Sequence, residues 1–147
     1  MKTLSIITLI TFLFGASFNK TIQKKDVNSE IIFENISFKN ALQKAKQENK
    51  LLFVNVYAVW CAPCKELKNK TFKSSKVADA VNARFINLDI NAEEGEGIDF
   101  SKKYKVTAHP LVLIIDATGK EKKRILGYRN DTQLLSELNE FLPNNNN

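Results

Sequence analysis

The chain has 147 residues, 44% of them hydrophobic and 26% charged, with five Gly and three Pro, the make-up of one ordinary globular domain with room for a real core. Its net charge of +6 is scattered: Lys24-Lys25, Lys102-Lys103 and Lys122-Lys123-Arg124 lie in different segments, with no basic block interleaved with aromatics, so a solvated surface is expected rather than a nucleic-acid footprint. Two Cys and one His exclude a disulfide framework and leave a structural zinc site short of its four ligands.

In chain order, Lys2, the apolar run Leu4 to Phe14 and the small residues Gly15-Ala16-Ser17 have the pattern of a secretory signal peptide over residues 1–17. The run is shorter than the roughly 20 residues a membrane span needs. An N-terminal core helix or an uncleaved anchor is the alternative. Residues 18–30 are polar and aperiodic and read as a flexible N-terminal segment. Ile31 to Phe33 is a short strand candidate, and Phe38, Leu42 and Ala45 carry helical spacing behind Ser37 as N-cap. Leu51 to Tyr57 is nearly continuous in apolar residues, as a strand buried on both faces should be. A helix follows from Pro63 through Leu67 to Phe72, with Pro63 in its first turn, where a missing N–H costs nothing. Ser74 or Ser75 caps a further helix, and Arg84 to Ile90 alternates as a strand.

After an acidic loop and a short helix over 98–104, Leu111 to Ile115 reads as a second buried strand. Asp116 to Gly119 is a turn, and Lys122 to Leu126 returns as a hairpin partner. Asp131 or Thr132 caps a last helix that Pro143 stops, and 143–147 is a disordered tail. This order predicts an α/β fold, a mixed central sheet with helices on both faces and the runs at 51–57 and 111–115 at its centre.

The two cysteines, Cys61 and Cys64, stand three apart between a strand-like and a helix-like run. That pattern reads as a thiol–disulfide redox motif. The first sulfur falls at a helix N-terminus, where free N–H groups and the helix dipole favour a thiolate. Together with Lys105 to Pro110, Leu111 to Asp116, Gly119-Lys120 and Gly127-Tyr128, the run Tyr57 to Lys65 resembles the thioredoxin superfamily over residues 31–142. Cys64 to Leu67, with Thr71-Phe72 and Val77, is most similar to the periplasmic thioredoxin-like domains, such as the C-terminal domain of DsbD-type thiol:disulfide interchange proteins.

The resemblance implies that Cys61 is the attacking, partly exposed thiolate and Cys64 the buried resolving thiol. Trp60 shields one side of the site, unless it is an ordinary core aromatic, and Pro110 matches the family's cis-proline facing the sulfurs. It implies a secreted or periplasmic reductase of protein disulfides, with disulfide and dithiol client proteins and a membrane thiol electron donor. The protein would be a monomer, with no cofactor beyond the Cys61–Cys64 disulfide and no metal. The intervening pair Ala62-Pro63 lacks the histidine of strongly oxidising relatives and resembles thioredoxin's Gly-Pro, which favours the reductase direction.

Two positions depart from the family pattern. Asn55 stands where thioredoxin has a buried aspartate that accepts the resolving cysteine's proton. An amide is no comparable base. Solvent, Lys65 or Glu66 would take over, or transfer would slow, or Asn55 is simply a satisfied buried polar group. His109 precedes Pro110 where an apolar residue is usual. Facing Cys61, a histidinium would stabilise the thiolate and raise the potential; beside the groove it would have no such effect. Oxidase or isomerase action, and Cu(I) handling or cytochrome maturation through Cys61, Cys64 and His109, are the competing readings.

Overall fold

A computed structural model describes residues 30–142. The expected leader at 1–17, residues 18–29 of the N-terminal segment and the 143–147 tail lie outside the described residues. Four strands, β1 (Leu51–Tyr57), β2 (Phe85–Asn91), β3 (Leu111–Ile115) and β4 (Glu121–Leu126), form one mixed sheet in the order β2-β1-β3-β4. β1 runs parallel to β2 and antiparallel to β3, and β3 is antiparallel to β4 with a register shift at Ile114/Ile115. The two apolar runs are therefore the central strands: every residue of β3 is buried, and in β1 only the two ends are not. This is the expected architecture.

Side chains alternate across the sheet and divide the core in two. Leu52, Val54, Val56, Ile86 and Leu88 face α1 (Phe38–Glu48) and α4 (Glu96–Lys103) through Ala41, Ala45 and Phe100. Phe53, Phe85, Val112 and Ile114 face α2 (Ala62–Asn69), α3 (Ser75–Arg84) and α5 (Asp131–Leu138) through Leu67, Val77, Val81, Leu134 and Leu138.

Local chemistry sets the boundaries. The Ser37 hydroxyl accepts the Asn40 N–H at 3.2 Å and starts α1 as expected. The helix at the motif is shorter than its sequence pattern. It ends at Asn69, and Thr71–Lys73 form a separate 3₁₀ turn that sends Phe72 into the core between Phe33 and Phe53, at ring separations of 5.6 and 5.8 Å. The last helix is capped one residue earlier than expected. Asn130 accepts the Gln133 N–H at 2.9 Å while Gln133 accepts the Asn130 N–H at 3.0 Å, a reciprocal box that neither Asp131 nor Thr132 could close. Ile31–Phe33 is not a strand. The Asn82 side-chain Oδ1 accepts the Ile32 N–H and the Asn87 side-chain amide donates to the Ile32 carbonyl, so side chains hold main-chain groups that a ladder would need.

Gly97 lies in the first turn of α4 against the end of β2, where a Cβ would lie 1.8 Å from the Asn91 carbonyl oxygen. That close approach fixes the β2–α4 loop, which borders the cysteine motif. On the same side of the sheet, the Tyr104 hydroxyl donates to the Gly119 carbonyl at 2.8 Å. Burial, with smaller contributions from Glu121 and Asp116, pushes its phenol up to about 12. The folded chain keeps this proton where an unfolded chain releases it near pH ~10, so stability from Tyr104 is complete below that pH and is lost as pH rises towards 12. Urea melts should show wild-type stability falling more steeply between those limits than that of Tyr104→Phe, which itself costs about 1 kcal/mol at neutral pH. Parallel declines in the two proteins would contradict the assignment.

Candidate active site

β1 ends at Tyr57, and the chain turns through Ala58-Val59-Trp60 into α2. Cys61 is the N-cap of that helix, and its Sγ accepts the Cys64 N–H at 3.2 Å. Pro63 lies in the first turn, where the helix has no use for its missing N–H. Cys61 and Cys64 are joined in a disulfide, with S–S 2.03 Å and Cα–Cα 5.3 Å. The same N–H that caps the helix would therefore meet a thiolate on Cys61 once the bond is reduced.

The implied exposure of Cys61 needs correcting. In the disulfide, Cys61 is 3% exposed and Cys64 5%, both packed with Ala58 and Tyr57. The accessible part of the site is its collar: Trp60 is 67% exposed, and Val59, Ala62 and Pro63 are exposed too. Trp60 is thus no core aromatic. Its indole N–H donates to the Glu93 carboxylate at 2.9 Å, which pins the ring to the β2–α4 loop.

The antiparallel β1–β3 register sets Leu111 opposite Val56, so the residues before β3 arrive beside the end of β1. The His109–Pro110 peptide there is cis; Pro110 is buried, and its carbonyl accepts the Gly127 N–H at 2.8 Å. His109 is half-buried and turned towards the collar. Its ring lies 6.3 Å from that of Trp60, edge to face, and its Nδ1 is buried with no protein hydrogen-bond partner.

Asn55 is 1% exposed and lies under the motif. Its amide donates to Asp89 Oδ1 at 2.7 Å, while its own Oδ1 is buried without a protein partner, so it is only half satisfied. Asp89 Oδ2 accepts from the Lys68 ammonium, which sits 5.1 Å from the Tyr57 ring centre. Of the expected substitutes for the missing aspartate, Lys65 lines the cavity that Asn55 and Cys64 share, but Glu66 pairs with Lys70 on the outside of α2.

Asp89, Lys68 and Glu93 are the site residues that sequence reasoning missed. A signal existed for Asp89: Asn87, Asp89 and Asn91 alternate as polar residues on the face of β2 where Phe85 enters the core. Only the parallel register, which puts Asp89 opposite Asn55, shows what that polarity serves. Among the described residues, no three His, Cys, Asp or Glu side chains converge as metal ligands.

Comparison with known proteins places this geometry. The family model described as a thioredoxin-like domain matches residues 38–142. The thiol:disulfide interchange protein DsbD of Yersinia pestis is 30% identical over 127 residues, 83% of this chain and 21% of that protein. DsbD of Pseudoalteromonas atlantica is 29% identical over 102 residues, 67% of this chain and 17% of that protein. The chain thus spans about a fifth of the length of these relatives. Among solved structures, a candidate disulphide-isomerase from Bacteroides thetaiotaomicron is 42% identical with a TM-score of 0.68, over 75% of this chain and 91% of that one. The oxidised C-terminal domain of Neisseria meningitidis DsbD shares the fold, with a TM-score of 0.61 at 24% identity over 76% of this chain and 98% of that one. On this evidence the chain belongs to the thioredoxin-like family, with Cys61 and Cys64 where a thiol–disulfide oxidoreductase of that family carries its redox pair.

Proposed function

We propose that the protein reduces disulfides in client proteins outside the cytoplasm, in a periplasm or as a secreted protein. The observation that carries this reading is the placement of Cys61: its sulfur caps α2 and accepts the Cys64 N–H, so the thiolate left by reduction is held ready as a nucleophile. Cys61 attacks one sulfur of a client disulfide, releasing the other as a thiolate and forming a mixed disulfide. Cys64 then attacks the Cys61 sulfur, which re-forms the internal bond and frees the reduced client. Two electrons pass from the protein's dithiol to the client, and a thiol donor must return them. The donor in this reading is a membrane thiol protein, and the signal-like leader supports export. The chain works as a monomer through its disulfide alone, without a bound cofactor. Clients dock on the exposed collar of Val59, Trp60, Ala62 and Pro63.

Isomerase action is a second reading, favoured by the 42%-identical structure described as a candidate disulphide-isomerase. A reductase releases its client reduced; an isomerase needs Cys61 alone to reshuffle it.

Insulin reduction with dithiothreitol tests the assignment of both cysteines. Cys61→Ser should abolish the acceleration, and Cys64→Ser should leave a stable mixed disulfide with the client. Wild-type rates in Cys61→Ser would contradict the reductase reading. Reactivation of scrambled ribonuclease by Cys64→Ser at the wild-type rate would decide for the isomerase. His109→Thr keeps the fold and removes the ring beside Trp60; on the reductase reading its insulin rate stays within about threefold of wild type, less than the 10²–10⁴ of a general acid–base residue. A larger loss would put His109 in the chemistry.

A further inference from the structure

The reductase cycle, on which this inference rests, leaves one proton unassigned. Cys64 must lose its thiol proton as its sulfur attacks Cys61, because the thiolate is the nucleophile. Asn55 beneath it is a neutral amide and cannot take that proton. Glu66 is turned away into its pair with Lys70.

The nearest carboxylate to Asn55 comes from the neighbouring strand. Parallel pairing sets Asp89 directly opposite Asn55, and the Asn55 amide donates to Asp89 Oδ1 at 2.7 Å. An ionised carboxylate only accepts, so this bond fixes the amide's orientation. The nitrogen points to Asp89, and Oδ1 is left buried and unpartnered within the site. Lys68, from α2, holds the second Asp89 oxygen. Asn55, Cys64, Lys65 and Lys68 line a single cavity of about 210 Å³. Cys64, Asn55 and the Lys68 side chain that holds Asp89 thus border one space, to which Asp89 is joined through Lys68, while Asn55 Oδ1 stays buried. The space has room for bridging water, each molecule needing about 30 Å³.

We propose that Asp89 is the proton acceptor for Cys64, reached from this cavity through water and the Lys68 ammonium that holds it, with Asn55 and Lys68 orienting its carboxylate. In the resolving step the Cys64 S–H bond breaks and its proton passes through water to Lys68 as Lys68 gives one of its own protons to Asp89. The sulfur's electron pair forms the bond to Cys61 Sγ, the Cys61–client S–S bond breaks, and the client leaves as a thiolate that takes a proton from solvent. Asp89, 14% exposed, then returns its proton to bulk water. The groups in contact with it are Lys68 from α2 and Asn55 from β1, and Lys65 and Tyr57 line the cavity beside them. Asp89 touches neither sulfur, so it is a relay and positioning residue.

The two halves of the cycle separate with 5,5′-dithiobis(2-nitrobenzoate) and the reduced full chain. The first thionitrobenzoate released reports attack by Cys61, and the second reports resolution by Cys64. Asp89→Asn should slow the second release relative to the first by ~10-fold or more at neutral pH and move its pH dependence to higher pH. Asp89→Glu should restore it. The exchanged pair Asn55→Asp with Asp89→Asn keeps one amide and one carboxylate in contact, and so retains the fold if Asp89→Asn alone does not; it should keep the fast second release. A second release in Asp89→Asn at the wild-type rate, or slowed equally at every pH, would overturn the proposal, as would a slow exchanged pair. Failure of the first release in the wild-type protein would instead strike at the reductase reading itself.

Discussion

The pairing of β1 with both of its neighbours is the constraint on which the site depends. β1 delivers Cys61 at its C-terminal end. Its antiparallel partner β3 brings His109 and Pro110 to the same end, because Val56 stands opposite Leu111. Its parallel partner β2 brings Asp89 under the motif, because Asn55 stands opposite it. A slip of one residue in either ladder would turn the partner strand's side chains to the wrong face. The register is held by apolar side chains on both faces, Leu52, Val54 and Val56 on one and Phe53 on the other, all fully buried. The redox chemistry is thus placed by hydrophobic burial some distance from the sulfurs.

Much of this was legible in the residues. The nearly continuous apolar run at 51–57 and the run at 111–115 read as strands covered on both sides, and they are the two central strands. Pro63 marked the start of a helix, and Ser37 capped another, since both act through their own local chemistry. The errors fell where a residue's partner is remote in sequence. Phe72 looked like the continuation of a helix, but its place in the core between Phe33 and Phe53 draws it into a separate turn. Ile31 to Phe33 had the composition of a strand, yet the amides of Asn82 and Asn87 claim the main chain of Ile32.

The site divides in the same way. Cys61, Cys64, Pro63 and Trp60 are contiguous and could be read directly, and Pro110 and His109 came from resemblance to a family. The electrostatics could not be read, because they arise from pairs: Asn55 with Asp89, Asp89 with Lys68, Trp60 with Glu93. Sequence showed that an aspartate was missing at position 55 but not that a carboxylate approaches from the next strand. It also left Cys61 looking partly exposed. In the disulfide Cys61 instead lies buried beside an exposed collar of Val59, Trp60, Ala62 and Pro63.

A reductase needs a dithiol that gives up its electrons readily, and nothing between the cysteines here stabilises the reduced form as strongly as an added cation would. The most direct measurement is the reduction potential of the Cys61–Cys64 pair in the full chain, by equilibration against thiol–disulfide buffers of known potential. The account predicts a value nearer to the about −270 mV of thioredoxin than to the about −120 mV of DsbA. A potential above about −180 mV, the level of a disulfide isomerase, would contradict it.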